Sequence, residues 1–293
     1  MTETTLNPSD LMGSKIFGLP VDREILLSNH KNVYKKRVEK RQRKLIVKLA
    51  FLKPFLRNGE KILLITTGYS PLSSAAQYLT GFLFVYLKRA MYIFTNYRIF
   101  HIPVTATVSY KSSIAQIDYT GCKSIGLTGG TLVVQYAKYG KSDRFKSIAV
   151  SERKKIRALL KNTIPLSGTN NQLAARIHLC PKCTHSLVKG RYTCENCNLK
   201  FKSKRVAALS SIFIPGGGYF YIRHYLLGSI NAVLEIFLLL YSAFLINHYI
   251  NHVPVSLIHL VAAPLIFLYV KIAALFHSTH FIDEFIPAGK NIK

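Results

Sequence analysis

Four of the five cysteines fall in two pairs, Cys180-Pro-Lys-Cys183 and Cys194-Glu-Asn-Cys197, with ten residues between the pairs. Each C-x-x-C turn aims two thiolates at one point, and two such turns complete a tetrahedral S4 site of the kind that holds Zn2+. Four protein ligands close the coordination sphere, so the expectation is one structural Zn2+ and not a catalytic one. A cytoplasmic setting, which the charge pattern below implies, disfavours disulfides. A redox dithiol calls for a surrounding βαβ pattern, which is missing. An iron–sulfur centre uses the same four ligands and stays open behind zinc. His178 and His185 flank the first pair and read as solvated. Cys122 stands alone in an apolar strand pattern and reads as a core residue. No Ser/His/Asp, paired-carboxylate or Cys/His constellation emerges. Only ten acids occur in the first 205 residues, so the chain is expected not to be an enzyme.

Around the thiols, residues 184–193 can form a small hairpin turning at Lys189-Gly190, with Leu187, Tyr192 and Phe201 packing about the metal. The pattern resembles the zinc ribbons of many prokaryotic proteins, over about residues 179–202.

What anchors this segment is legible in the charge. The 293 residues carry 40 Lys+Arg against 13 Asp+Glu, a net +27, yet 49% are hydrophobic. Splitting the chain resolves the conflict. From residue 206 onward four basic residues face three acids, so +26 of the charge lies in the first 205 residues. Residues 226–246 contain one ionisable group, Glu235, and residues 255–276 contain His259 and Lys271. Each run matches the roughly 20 residues a membrane-spanning helix needs; buried soluble helices are the bland alternative. A third run, 206–222, is interrupted by Pro215-Gly216-Gly217-Gly218, which breaks a helix. Lys200, Lys202, Lys204 and Arg205 precede these runs, whereas 247–254 holds no Lys or Arg. The positive-inside rule then places the N-terminal region in the cytoplasm of a multi-pass inner (plasma) membrane protein. Two full spans after a short re-entrant or surface-lying hairpin is the preferred topology, with three spans open. Residues 1–20 show no secretory signal pattern.

Glu235 and Lys271 are the intramembrane polar groups. In antiparallel spans their axial offset is roughly 4–5 Å at about 1.5 Å per residue, within reach of a structural ion pair. The sequence from Pro215 through Gly228 resembles the hairpin signature of the small two-transmembrane-helix domain family. That resemblance implies a membrane module without known catalysis. Gly216, Gly217 and Gly218 permit close helix packing, and Tyr219, Tyr221 and Tyr225 suit an interfacial belt.

Upstream, residues 61–150 read as short strands at 61–67, 90–94, 98–103, 113–119, 123–128, 131–137 and 144–150, with Gly129-Gly130 a tight-hairpin signal. A helix follows over 151–162, with Ser151 placed to cap and Glu152 in its first turn. Asn58-Gly59-Glu60-Lys61 and Phe94-Thr95-Asn96-Tyr97-Arg98-Ile99-Phe100 are similar to motifs of the bacterial pleckstrin-homology-like, GRAM-related domain, over roughly residues 45–164. That resemblance implies a β-barrel or sandwich closed by one C-terminal helix, and binding of phosphoinositides, other lipids or peptides. Residues 71–87 depart from it, being long and apolar: a membrane-contacting loop, or a strand pair buried in the core.

Residues 31–48 carry nine basic residues against Glu39 alone and predict a basic helix. Lys35, Lys36, Arg37, Lys40, Arg41, Arg43 and Lys44 are its candidate anion-binding residues. A tethered basic helix meets an anionic bilayer first; nucleic acid is the rival. The sequence thus predicts a multidomain α+β membrane protein: a polar segment (1–30), a basic amphipathic helix (31–50), a pleckstrin-homology-like domain (51–164), a linker (165–177), a zinc ribbon (178–204), two to three transmembrane helices (206–277) and a tail (278–293). The expected role is a non-enzymatic adaptor that binds anionic phospholipid or a partner protein, with self-association open. The alternatives are a membrane-tethered nucleic-acid binder and an accessory subunit of a transport or envelope complex.

Overall fold

The computed structural model describes residues 15–71, 88–105, 107–164, 166 and 173–289. Of the apolar connection 71–87, all but Pro71 lies outside the described residues. The rest divide into two compact units, the first closing at Val188 and the second opening at Lys189.

The first unit begins with β1 (Lys15–Ile16), β2 (Leu19–Pro20), α1 (Arg23–Leu27) and α2 (Lys36–Ile46), which runs into a 3-10 segment over Val47–Phe55. Then come β3 (Ile62–Tyr69), β4 (Arg89–Thr95), β5 (Arg98–Pro103), β6 (Ile114–Asp118), β7 (Cys122–Thr128), β8 (Thr131–Tyr136), β9 (Ser142–Phe145), α3 (Val150–Asn162), β10 (Ile177–Leu179) and β11 (Ser186–Leu187). β3–β6 form an antiparallel meander, and β10 and β11 extend it to a six-stranded sheet of order β11-β10-β6-β5-β4-β3. β7, β8 and β9 make a second antiparallel sheet, which Tyr69 and Lys146 join to the first by an isolated bridge.

Strand alternation divides the core in two. Tyr92 and Phe94 face a cluster with Leu132, Val134, Phe145 and the α3 residues Ile156 and Leu159. Their neighbours Met91 and Ile93 face a cluster with Leu19, Leu26, Ile46, Leu49 and Leu52. The meander is therefore covered on both faces, one by the second sheet and α3, the other by residues 15–56. This explains why every residue of β4 and β5 except Arg89 is buried, and why the two strands lack the clean alternation of a half-exposed strand.

α2 is held by a residue hidden in the basic run. Gln42 is buried; its side-chain amide donates to Ile65 O at 2.9 Å and accepts from Ile65 N at 3.0 Å. β3 is an edge strand, and the amide supplies the two hydrogen bonds a further strand would make.

The two motifs quoted for the domain resemblance meet in space. Glu60 and Arg98, both buried, pair at 2.7 Å, and Thr95 Oγ1 donates to Glu60 Oε1 at 2.8 Å. Asn96 Oδ1 accepts from Lys61 N at 2.8 Å, and Asn96 Nδ2 donates to Gly59 O at 3.1 Å.

Local expectations need correction at three places. The strand expected over 144–150 is β9, ending at Phe145, because Ser147 turns the chain with φ 57°. α3 begins at Val150 with Ala149 as its uncapped N-cap, so Ser151 does not cap it; the Ser151 hydroxyl accepts from Arg41 Nη1 at 2.5 Å. The basic helix starts at Lys36 and not at Lys31, because Asn29 Oδ1 accepts from the backbone of Lys31 and Val33 and holds them in a turn.

The second unit contains α4 (Lys204–Phe213), α5 (Gly217–Tyr221), α6 (Tyr225–Ile250) and α7 (Leu257–Ile282). Ser203 caps α4 by accepting from Val206 N. α6 and α7 are both long and apolar enough to cross a membrane, and only 17% and 11% of their most apolar stretches are buried. A soluble core helix would be buried; these expose Leu226, Phe237, Leu240, Leu257, Ile258 and Leu265.

Candidate functional site

The two cysteine turns are built alike. Cys180 N donates to His185 O and Thr184 N to Cys180 O; Cys194 N donates to Leu199 O and Asn198 N to Cys194 O. Thr184 and Asn198, each directly after the second cysteine of its pair, share a left-handed conformation with φ 61° and 56°. The same turn used twice presents four thiols, whose sulfurs all lie within 4.8 Å of one another. A tetrahedral ion at about 2.3 Å from sulfur needs sulfurs about 3.8 Å apart, so the arrangement is compatible with a metal site. Cys180 and Cys194 are buried, Cys183 and Cys197 half-buried. β10 and β11 bracket the first pair and stitch it to β6 through His178–Ala115 and Leu179–Ile114 pairing. The second pair is followed by a strand-like stretch: Thr193 bridges Lys200, and Phe201 bridges Pro287 of the tail. Phe201 and Phe285 pack edge to face with centroids 5.6 Å apart. Cys122 is no part of this centre: its thiol donates to Asp118 O at 3.3 Å, and burial pushes its pKa up to about 12.

In the second unit α4 and α5 form a hairpin whose ends meet. Lys202 Nζ donates to Tyr221 O, and Ser203 N donates to Tyr221 Oη at 3.1 Å. Burial, with Arg223 nearby, lowers the Lys202 ammonium to about 8. Lys204 pairs at 2.8 Å with Asp283, directly after α7. The far end of the hairpin is the glycine turn. Gly216 has φ +66°, and a Cβ there would lie 2.2 Å from Gly228 O of α6; one on Gly218 would lie 1.9 Å from Ser211 Oγ. Gly217 backs equally closely onto Ser210 O.

At this turn the polar groups converge. Lys271 Nζ of α7 lies 2.8 Å from Glu235 Oε2 of α6 and donates to Ser211 O of α4 at 3.1 Å. Glu235 is 1% exposed and also accepts from Gly216 N and Asn231 Nδ2. Glu235 and Lys271, one from each apolar run, are thus brought together, and the pair pins the hairpin to both long helices. Two further contacts were not legible beforehand: Ser211 Oγ to Ser278 Oγ at 2.8 Å, and Tyr219 Oη to His277 Nδ1 at 2.9 Å. Ser211 and Ser278 share a small-polar character that marks close helix contacts in apolar surroundings.

The basic helix is only partly free to act on a ligand. Lys35, Lys36, Arg37, Lys40 and Lys44 are exposed. Arg43 is exposed but pairs with Glu39 at 2.7 Å. Arg41 turns inward to buried Glu152, whose carboxyl burial raises despite Arg41 and Lys155. No protein-family model, curated protein or solved structure matches the chain.

Proposed function

We propose that the chain is a non-enzymatic adaptor of the inner (plasma) membrane, whose cytoplasmic first unit binds anionic phospholipid headgroups through α2. The observation that carries the membrane reading is the exposure of α6 and α7: apolar side chains cover two 26-residue helices with little protein around them. Lipid is the solvent that makes such surfaces stable. α6 and α7 span, and the α4–α5 hairpin dips in and returns, because Lys204 meets Asp283 while Lys202 meets Tyr221. The loop after α6, which holds no Lys or Arg, then lies outside, and everything basic lies inside.

In this frame the two sheets closed by α3 serve as a pleckstrin-homology-like module, and the thiol cluster holds one Zn2+. The ion would join the two turns; its role would be to fix the ribbon, and no step of chemistry passes through it. Lys182 and Lys200 offset the negative charge of a tetrathiolate centre. Exposed Lys35, just before α2, and Lys36, Arg37, Lys40 and Lys44 within it each gain about 1 kcal/mol when close to an anionic leaflet.

The test uses the full chain in nanodiscs. Hydrogen exchange of residues 36–46 slows on anionic lipid, and salt reverses the protection. Equal protection on neutral lipid would end the electrostatic reading. For the metal, Cys180→Ser/Cys183→Ser lowers bound zinc and opens residues 184–193 to protease. Unchanged metal content in that double variant would remove the zinc assignment.

A further inference from the structure

The second unit contains a pocket of about 140 Å³ where residues 189–192 meet the end of α7; the hairpin expected over 184–193 is not formed, since β11 pairs with β10 and Thr193 bridges Lys200. Lys189, Tyr192, Lys204 and Asp283 contribute its polar lining; Ile282 and Phe285, both buried, contribute the apolar part. Its volume is well below the roughly 300–1,000 Å³ of sites that enclose a whole small molecule. A nucleotide or a drug-sized ligand is too large, whereas a small charged group with its attached chain left outside would fit.

Charge narrows the class. Lys204 is already paired with Asp283 at 2.8 Å. Two ammonium groups against one carboxylate leave one positive charge, carried by exposed Lys189. A phosphodiester bears a single negative charge and would neutralise it; a phosphate monoester or a polyphosphate brings more negative charge than the pocket can balance. Position narrows it again. Lys204 opens α4, and the side chains just beyond it, Val206 and Leu209, are exposed and apolar; Asp283 directly follows α7. In the membrane reading proposed above, on which this inference rests, the Lys204–Asp283 pair marks the boundary between hydrocarbon and water. Lipid headgroups stand at that level, and the exposed flank of α4 offers a path for an acyl chain.

We propose that this pocket binds the phosphodiester headgroup of a membrane phospholipid, with Lys189 neutralising the phosphate. The site is distinct from α2: it takes one headgroup in a shaped recess, whereas α2 responds to the charge of the whole leaflet.

The experiment reconstitutes the full chain in vesicles of phosphatidylethanolamine and phosphatidylglycerol, extracts it in mild detergent, and counts retained phospholipid by native mass spectrometry. Wild type retains phospholipid. Lys189→Glu lowers the retained fraction about fivefold or more, the equivalent of at least about 1 kcal/mol for one charge contact at the surface, and Lys189→Arg keeps it. Because Lys189 is exposed, these variants preserve the fold, which zinc content and melting temperature verify. Reversal of Lys36, Arg37, Lys40 and Lys44 together leaves retention unchanged, even where it abolishes the response of α2 to anionic lipid. Retention that ignores Lys189→Glu overturns the pocket. Displacement of the lipid by excess inorganic phosphate also overturns it, because the recess would then recognise the free ion. Loss of the chain from the membrane fraction would instead remove the membrane reading itself.

Discussion

Lys271→Met should be far more damaging to the second unit than the double variant Glu235→Leu/Lys271→Met. The reason lies in what each leaves behind. Glu235 is 1% exposed; among the described residues its charged partner is Lys271 Nζ at 2.8 Å, and its other donors are the neutral Asn231 amide and Gly216 N at 3.3 Å. Removing the ammonium strands a buried carboxylate with two neutral donors. Loss of one member of a buried pair costs about 3–5 kcal/mol, whereas replacing both by apolar groups of similar size is close to neutral. Glu235→Leu alone leaves Lys271 with the Ser211 carbonyl, 3.1 Å away, and carries a similar penalty. With each single variant costing about 3–5 kcal/mol and the double close to neutral, the interaction energy across the cycle should be about 6–10 kcal/mol in magnitude. Each single substitution should lower the melting temperature by roughly 10 °C, at about 2–4 °C per kcal/mol for a protein of this size. Thermal unfolding in nanodiscs, followed by protease cleavage in the 214–217 turn, reads the effect. If the single and double variants melt together, the pair does not hold the hairpin.

Three other outcomes follow from the geometry. Gly218→Ala places a Cβ 1.9 Å from Ser211 Oγ and 2.7 Å from Ser278 Oγ, an overpacking of about 1–3 kcal/mol; Gly289→Ala, with nothing within 4 Å, serves as the control, and equal melting of the two would refute the packing role. Arg98→Met leaves Glu60, 1% exposed, without its guanidinium, and unfolding of the first unit in urea should lose about 3–5 kcal/mol; an unchanged midpoint contradicts this. Lys155, buried and bonded to Leu26 O and Ser28 O, is held down to about 8 by burial. The unfolded chain binds the extra proton between about pH 8 and 10.4, so Lys155 makes stability rise with pH across that window. Lys155→Met should flatten the rise, and an identical slope in both proteins would exclude it.

Much of this architecture was legible in the residues because it rests on strong local signals. Two C-x-x-C turns at short separation leave few alternatives for where the thiols go. Two long apolar runs leave few for α6 and α7, and counting 1.5 Å per residue along them was enough to bring Glu235 opposite Lys271. What escaped depends on contacts without local pattern. β10 and β11 are three and two residues long, too short for any period, so their addition to β6 was invisible. The tail pairs with the ribbon through backbone bonds, Lys202 N to Ile286 O and Ala288 N to Lys200 O, which no side chain announces. Gln42 could have been found: it stands in the basic run three, four and seven residues before Leu45, Ile46 and Leu49, on the apolar face. Arg41, one residue earlier, is half-buried against Glu152 for a reason that lies 111 residues on in the sequence.

If α6 and α7 each cross the membrane once, the tail returns to the side on which α6 begins. The most direct measurement fuses a topology reporter after Lys293 and, separately, inserts one in the loop at His252. A cytoplasmic signal is expected from the first and an external signal from the second. A tail that reports from outside, or a His252 site that reports from the cytoplasm, would contradict it.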